Sequence, residues 1–269
     1  MPCDGPIEEP TELGALTSDA IAGTMRITQR RHGHRYSLDD VMTAWEAARA
    51  APHARLCLEL GSGIGSVLLM LAYKLPEARF VAVEAQRNSF HLLGENVRQN
   101  GLASRVEIVH ADLRQYVQAE ALPAFELVTG TPPYVPPGSA TPSSDAQKAY
   151  ARQELRGGVE DYLAAMGRVL ASTGVGVVCA DARFPERVFA GAARAGLTVV
   201  RVREIVPRAG SKGPLFSVFT LVRDDGTARP LERTAPWIAR DEQGARTAAY
   251  HDVRAFFGMA PPTDEAPSP

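Results

Sequence analysis

A glycine-rich turn between a strand-like segment and a helix-like segment constrains the fold of this chain most strongly. An apolar run over residues 55–60 leads directly into Gly61-Ser62-Gly63-Ile64-Gly65, and a helical pattern over residues 66–74 follows. Glycines let a backbone turn tightly and approach a ligand closely, and the next helix then points its N-terminus at that ligand. The turn therefore predicts a ligand site at the end of a buried strand, although an ordinary strand-to-helix turn is the alternative.

Strand-like and helix-like segments alternate after this point. Strands are predicted over residues 55–60, 80–84, 106–110, 125–128 and 174–180, and helices over 66–74, 89–100, 161–171 and 185–195. Two further strands, 197–205 and 215–223, are joined by a turn without a helix, so they should pair antiparallel. Alternation of this kind indicates a parallel sheet covered on both faces. We therefore predict an α/β fold, a Rossmann-like, doubly wound, mostly parallel seven-stranded sheet with an antiparallel last strand.

Composition divides the chain into three parts. Residues 1–23 carry Pro, Glu, Gly and Ser without periodicity and are predicted to be a mobile N-terminal lead. Residues 24–228 form the α/β domain, which includes a helical pattern over residues 38–50. Residues 229–269 form a polar, Pro-rich extension with one short helical pattern near residues 248–257.

Several protein classes are disfavoured by composition. The net charge of -2 does not indicate a polyanion partner for the molecule as a whole, although a local basic patch still can. The three cysteines are far apart, so neither a zinc site nor a disulfide framework is predicted. No run reaches the roughly 18 apolar residues of a membrane span, and a cytoplasmic protein without metal is expected. The sequence leaves the oligomeric state open.

Two carboxylates follow predicted strands at places where a ligand would lie. Glu84 ends the second strand, where a carboxylate can accept hydrogen bonds from ribose hydroxyls, and a solvated strand end is the alternative. Asp112 follows the third strand and could hold an adenine amine, and a helix N-cap before residues 113–117 is the alternative.

The motifs together resemble the class I S-adenosylmethionine-dependent methyltransferases. More narrowly, they resemble the bacterial tRNA (adenine-N6)-methyltransferases that act on valine tRNA. The resemblance covers residues 24–223 and lies in Ile27-Thr28-Gln29, Gly33-His34-Arg35-Tyr36-Ser37-Leu38-Asp39-Asp40, Glu59 to Gly65, Asn96, Asn100-Gly101-Leu102, Asp112 and Thr131-Pro132-Pro133-Tyr134. It implies the cofactor S-adenosylmethionine, held by Glu59, Gly61, Ser62, Gly63, Gly65, Glu84 and Asp112, with Tyr36 and Asp39 near the donor and the acceptor.

A dinucleotide site is a weaker interpretation of the same turn. The spacing here is Gly-x-Gly-x-Gly, without the third glycine of Gly-x-Gly-x-x-Gly. A pyrophosphate needs the helix N-terminus, whereas S-adenosylmethionine carries no phosphate and can use the shorter turn. A dehydrogenase is therefore the least favoured function.

The four residues Thr131-Pro132-Pro133-Tyr134 are predicted to hold the acceptor amine. An exocyclic amine becomes nucleophilic as it turns tetrahedral, so a side-chain oxygen and a backbone carbonyl should each accept one of its hydrogens. By the resemblance, Pro132 supplies the carbonyl; Pro133 stiffens the loop and Tyr134 offers a face for a flipped base. The family normally begins this motif with Asn, so Thr131 leaves three explanations open: a deeper acceptor, a different substrate, or binding without catalysis.

Basic residues near this motif suggest nucleic acid. Arg26, Arg30, Arg31 and Arg35 lie in a stretch without an acidic residue and are predicted to contact RNA, most plausibly tRNA. Solvated surface charge is the alternative. A second basic stretch holds Arg201, Arg203, Arg208 and Lys212, and the segment 135–158 is either a substrate lid or a disordered insertion.

These features lead to a ranked set of functions. The first is methyl transfer from S-adenosylmethionine to an amine nitrogen, adenine N6 in tRNA or another structured RNA. The second is methylation of a glutamine amide in a protein, because relatives with that activity also use a Pro-Pro-Tyr loop. The third is an inactive relative that binds RNA or a metabolite.

Overall fold

A computed structural model describes residues 13–141 and 143–260 of the chain. The described part begins with an antiparallel hairpin of β1 (Leu16–Ala22) and β2 (Met25–Arg30), followed by helix α1 (Leu38–Ala50). Strand β1 was not predicted, because residues 16–22 were assigned to the lead. Residues 1–12 of that lead lie outside the described residues, and the division into domains stays a proposal.

The predicted strands and helices follow in the predicted order, together with two short strands and two short helices that were not predicted. The strands are β3 (Leu56–Leu60), β4 (Arg79–Glu84), β5 (Val106–His110), β6 (Phe125–Gly130), β7 (Leu170–Asp181), β8 (Leu197–Val206), β9 (Phe216–Arg223), β10 (Glu232–Arg233) and β11 (Trp237–Ile238). The helices are α2 (Ser66–Lys74), α3 (Arg87–Gln99), α4 (Leu113–Tyr116), α5 (Ala146–Arg152), α6 (Val159–Val169), α7 (Pro185–Arg194) and α8 (Ala248–Phe256). The helix predicted near residues 248–257 is confirmed.

The sheet confirms the predicted fold class. Its strand order is β10-β8-β9-β7-β6-β3-β4-β5, and β11 also pairs with β8. Strands β3 to β7 run parallel, and β9 is antiparallel to both of its neighbours, β7 and β8. The two short strands β10 and β11 lie parallel to β8 and extend the predicted seven strands. The carboxyl ends of β3, β4, β5 and β6 therefore meet at one edge, where the glycine turn and the motif at Thr131 also lie.

Helices cover both faces of this sheet. Along β4, Phe80 and Ala82 belong to one apolar core, and Val81 and Val83 belong to the other. This alternation follows from the two-residue period of a strand. The first core lies under α1, α2 and α3, and the second lies under α4, α6 and α7. Within the described residues no helix is both long enough and apolar enough to cross a membrane.

Residues 229–260 of the C-terminal extension fold onto the α/β domain. Val253 and Phe257 are almost fully buried in the first core, together with Trp237. The Gly23 amide in the turn of the hairpin donates a hydrogen bond of 2.8 Å to the Phe257 carbonyl. The extension thus packs against the N-terminal hairpin, one flank of the site described next.

Candidate functional site

The glycine turn at the end of β3 is built from residues that other side chains would strain. Gly61, Gly63 and Gly65 have φ values of 61°, 56° and 88°, in the left-handed region that glycine adopts readily. A Cβ on Gly61 would lie 2.1 Å from the Tyr162 hydroxyl, whereas a Cβ on Gly63 would meet no atom within 4 Å. The predicted turn therefore opens at Gly63 onto a cavity, which we call the donor cavity.

Glu84 at the end of β4 lines the donor cavity, and its contact with a bound donor stays a prediction. Its carboxylate accepts hydrogen bonds from the Gly63 amide at 2.7 Å and from the Gln86 amide at 2.6 Å. Burial raises the pKa of Glu84 to about 7, against the opposing effect of these two amide bonds. Each carboxylate oxygen keeps a second lone pair, so Glu84 can fix the turn and still accept from a ligand hydroxyl.

Glu59 lies behind the glycine turn, and it is not among the residues that line the donor cavity. Its side chain accepts a backbone hydrogen bond from Leu68 in the first turn of α2, whose N-cap Gly65 has no side chain to do so. Burial raises the pKa of Glu59 well above its ordinary value, and the negative charges of Asp40 and Glu84 raise it further. Glu59 therefore positions α2, and its carboxyl group lies near those of Asp40 and Glu84.

Asp40 is a cavity residue to which the sequence analysis assigned no role. Its carboxylate accepts from the Ser37 amide at 2.9 Å, which completes the capping box of α1. Burial, and then the charge of Asp39, raise the pKa of Asp40 to about 7. The Ser-x-x-Asp capping spacing was the available signal, but it does not reveal that the carboxylate faces a cavity.

The predicted residues Tyr36, Ser62 and Asp112 line the donor cavity as well. The Asp112 carboxylate caps α4 through the Arg114 amide at 2.9 Å, and the Arg114 guanidinium pairs with it at 2.6 Å. The hydrogen bonds from Arg114 lower the pKa of Asp112 below its ordinary value. The structure thus shows the helix-cap arrangement, and any contact of Asp112 with an adenine amine stays a prediction.

The acceptor motif follows β6 directly. Thr131 and Pro133 line the donor cavity, and all four residues from Thr131 to Tyr134 line a second cavity beside it. We call this second space the mouth cavity. The Tyr134 hydroxyl lies 2.9 Å from Cys179 Sγ and 3.5 Å from Asp39 Oδ2. Tyr134 is therefore anchored at its hydroxyl end, while its side chain borders the mouth cavity.

His34 stands where the two cavities meet. It lines both of them, as do Tyr36 and Thr131. Burial is the largest influence on the pKa of His34 and lowers it, and the positive charges of Arg152 and Lys148 act in the same direction. The sequence analysis gave His34 no ligand role, and its burial could not have been inferred from spacing alone.

Helix α5 covers the cavities, so part of the segment predicted as a lid or an insertion is helical. Its Gln147 is 1% exposed and donates to Ser89 Oγ at 3.1 Å. The Gln147 side-chain oxygen accepts from the His34 amide at 3.1 Å. Asp145, which caps α5, pairs with Arg30 at 2.9 Å. These contacts connect the cover to the loop after the hairpin.

The four predicted RNA-contacting arginines divide into two groups. Arg30 pairs with Asp145, Arg35 pairs with Asp19 at 2.9 Å, and Arg26 donates to Ser18 Oγ at 3.0 Å. Arg31 is exposed and lines the mouth cavity, where Lys148 and Arg152 join it. Among the described residues no group of His, Cys, Asp and Glu is arranged to hold a metal ion.

Comparison with known proteins finds sequences and structures similar to the α/β domain. Residues 43–155 match the methyltransferase small domain family. A tRNA1(Val) (adenine(37)-N6)-methyltransferase of Aeromonas hydrophila is 30% identical over 163 residues, which are 60% of this chain and 66% of that protein. A release factor glutamine methyltransferase of Geobacter sulfurreducens is 34% identical over 91 residues, which are 34% of this chain and 30% of that protein.

The chain spans only part of the length of the relatives that it matches in sequence. The chain spans 66%, 34% and 38% of the length of the first three curated relatives. A solved structure from Agrobacterium tumefaciens, described as a predicted O-methyltransferase, superposes with a TM-score of 0.63 at 19% identity and covers 83% of this chain and 98% of that one. That likeness supports the Rossmann-like fold.

The donor cavity suits S-adenosylmethionine on physical grounds. S-adenosylmethionine carries a positive sulfonium and an ammonium group. Burial disfavours the ionised form of a carboxyl group, and a nearby cation stabilises that ionised form. Asp40 and Glu84 line the cavity, Glu59 lies behind it, and a Cβ on Gly63 would project into open space. The fold, the glycine turn and the family match over residues 43–155 agree, and this part of the chain is similar to the class I S-adenosylmethionine-dependent methyltransferases.

Proposed function

We propose that the protein methylates an amine nitrogen of RNA, with adenine N6 of a tRNA as the preferred acceptor. The observation that carries the proposal is the junction of the two cavities at Thr131 and Pro133. A ligand in the donor cavity and a base in the mouth cavity would meet at this junction. Close placement of the two reactants supplies most of what such a transfer needs.

In this proposal Thr131 accepts a hydrogen bond from the substrate amine. Within the described residues its hydroxyl makes no hydrogen bond, so its lone pairs are available at the junction of the cavities. The bound donor would supply an electrophilic methyl group. The protein would hold the amine nitrogen in line with this methyl group. It would also accept hydrogen bonds from the amine as the nitrogen becomes tetrahedral.

The charge around the mouth cavity favours an RNA substrate. Arg31, Lys148 and Arg152 line this cavity, and a polyanion gains from each positive side chain that neutralises a phosphate. Two relatives named as tRNA1(Val) (adenine(37)-N6)-methyltransferases align over 163 and 171 residues, which are 60% and 63% of this chain. A cytoplasmic location for this reaction also stays a proposal.

Methylation of a protein glutamine is the second candidate. Two release factor glutamine methyltransferases are 34% and 33% identical to this chain over 91 and 90 residues. An amide nitrogen has the same need for two hydrogen-bond acceptors, so the junction at Thr131 suits both reactions. The basic residues at the mouth are the observation that favours RNA.

Labelled donor distinguishes these candidates. The protein is incubated with methyl-labelled S-adenosylmethionine, bulk tRNA and a protein extract, and the fractions are then separated. Label in N6-methyladenine of the tRNA supports the proposal, label in protein supports the glutamine reaction, and label in neither supports an inactive binding protein.

Two variants, one of which has nearly the volume of threonine, test the role of Thr131. Thr131→Val removes the hydroxyl, and we expect methyl transfer to fall by about 10²-fold or more with donor affinity unchanged. Thr131→Ser keeps the hydroxyl and should retain most of the activity. Equal activity of the Val and Ser variants would remove Thr131 from the acceptor site.

A further inference from the structure

A third cavity lies between the N-terminal hairpin and the C-terminal extension, outside the donor cavity. We call it the C-terminal cavity. Residues from three parts of the chain line it: Asp19 and Gln29 of the hairpin, Arg35 to Leu38 and Val41 before and within α1, and Trp237, Ala239, Arg246, Tyr250, Val253, Arg254 and Met259 of the extension. None of the comparisons or motifs described above assigns a role to it.

The wall contributed by the extension is held by its own hydrogen bonds. Thr247 caps α8 through the Tyr250 amide at 3.2 Å, and its hydroxyl donates to the Ile238 carbonyl at 2.6 Å. The Trp237 indole donates to the Ala249 carbonyl at 3.3 Å. Because β11 and α8 are tied together in this way, the cavity is a preformed part of the fold.

Two positive charges face this cavity without a carboxylate partner in the described part of the chain. The Arg246 guanidinium lies 4.0 Å from the centre of the Tyr250 ring, and that of Arg254 lies 6.0 Å from it. Arg254 donates to the Ala260 carbonyl, a neutral acceptor. The one acid that lines the cavity, Asp19, is already paired with Arg35. The cavity is therefore suited to an anion.

The C-terminal cavity continues the surface of the mouth cavity. Arg35, Tyr36 and Ser37 line both spaces, so this short segment borders the two cavities. A strand of RNA with one base in the mouth cavity would carry its next phosphates across Arg35 to Ser37. Arg246 and Arg254 line the C-terminal cavity and are not among the residues that line the mouth cavity.

We propose that the C-terminal cavity binds a phosphodiester group of the same RNA strand whose target base enters the mouth cavity, with Arg246 and Arg254 as its ligands. This inference rests on the proposed RNA substrate. It gives the C-terminal extension a role in substrate binding and none in donor binding.

Salt-dependent RNA binding tests the inference. The full chain and the double variant Arg246→Gln/Arg254→Gln are titrated into labelled bulk tRNA between 50 and 200 mM salt, about the range over which phosphate contacts are resolved. Each lost phosphate contact should reduce the slope of log K against log salt by about 0.7 to 0.9. The magnitude of this slope should therefore be about 1.5 smaller for the double variant. Its affinity for tRNA near 0.1 M salt should be lower by about tenfold or more.

Two controls separate electrostatic contact from structural damage. Arg246→Lys/Arg254→Lys keeps both charges, so it should keep most of the slope. Arg229→Gln removes an arginine that follows β9, beyond the opposite edge of the sheet, where it pairs with Asp225 at 2.6 Å. This variant should bind RNA as the unchanged protein does, and all variants should bind S-adenosylmethionine equally.

The outcomes distinguish this inference from the proposed function. If the unchanged protein shows no salt-dependent RNA binding, the RNA substrate itself is wrong. If it binds RNA and the Gln double variant keeps the full slope, the C-terminal cavity does not contact phosphate. Equal loss by the Lys and Gln double variants would show a structural effect and would also overturn the inference.

Discussion

Glu84 should make the stability of the protein depend on pH. Its pKa is raised to about 7 by burial, from an ordinary value of 4.5. Between these values the unfolded chain has lost the proton of this carboxyl group, while the folded chain still holds it. Unfolding then releases a proton, so the contribution of Glu84 to the free energy of unfolding falls as the pH rises through this window.

The size of the effect follows from the two pKa values. Integrated from pH 5 to pH 8, the single carboxyl group lowers the free energy of unfolding by about 2 to 3 kcal/mol. Glu84→Gln is neutral at every pH and has nearly the same shape, so it lacks this contribution. It also loses one amide hydrogen bond, but that cost is the same at both pH values and cancels in the comparison.

Urea denaturation at pH 5 and pH 8, without donor, measures the effect. The difference in free energy of unfolding between Glu84→Gln and the unchanged protein should shift by about 2 to 3 kcal/mol in favour of the variant at pH 8. Glu77→Gln, which removes a carboxylate whose side chain is 75% exposed, controls for the lost charge and should show no such shift. If Glu84→Gln and the unchanged protein lose stability in parallel, the buried carboxyl group does not hold its proton and the reasoning fails.

The same site and its surroundings support three further predictions. Donor binding at pH 7 should release protons, because a bound cation lowers the pKa of buried carboxyl groups; calorimetry in two buffers of different ionisation enthalpy measures this, and identical heats would contradict it. Gly63→Ala should weaken donor binding at least tenfold, because its methyl group enters the cavity, whereas Gly226→Ala, with a similar φ of 76°, should cost about 1–2 kcal/mol of stability and leave donor binding unchanged. Arg187→Gln should lower the free energy of unfolding, measured by urea denaturation, by about 1–3 kcal/mol, because it leaves two carboxylates unpaired. Arg98→Gln breaks an exposed ion pair and serves as the control, and a larger loss in that variant would refute the prediction.

The sheet was predictable because its strands are buried on both faces. Such strands appear as continuous apolar runs, and glycines mark the turns that follow them. The hairpin strand β1 was not predicted, since residues 16–22 are mostly exposed or half-buried and therefore carry no strong apolar alternation. Strands β10 and β11 have two residues each, which is too short for any periodic signal.

The site was predictable where its residues follow strands directly. Glu84, the glycine turn and Thr131 each come at a strand end, and the parallel sheet brings them to one edge. Asp40 was missed because a polar residue in a helical pattern is normally solvated, and only packing against another element buries it. Gln147 was missed because its segment was predicted to be a lid or a disordered insertion. Arg30 and Arg35 were predicted to contact RNA, but the sequence could not show the ion pairs that each makes within the chain.

The C-terminal extension packs against the hairpin, where Gly23 and Phe257 share a hydrogen bond, and this packing bears on the design of truncated variants. A fragment limited to residues 24–228 would lack Val253, Phe257 and Trp237, which fill the first core beside α1 and α2. Their loss would expose an apolar patch to solvent, and such patches promote self-association. A truncated variant that stays monomeric in solution should therefore retain the last helix.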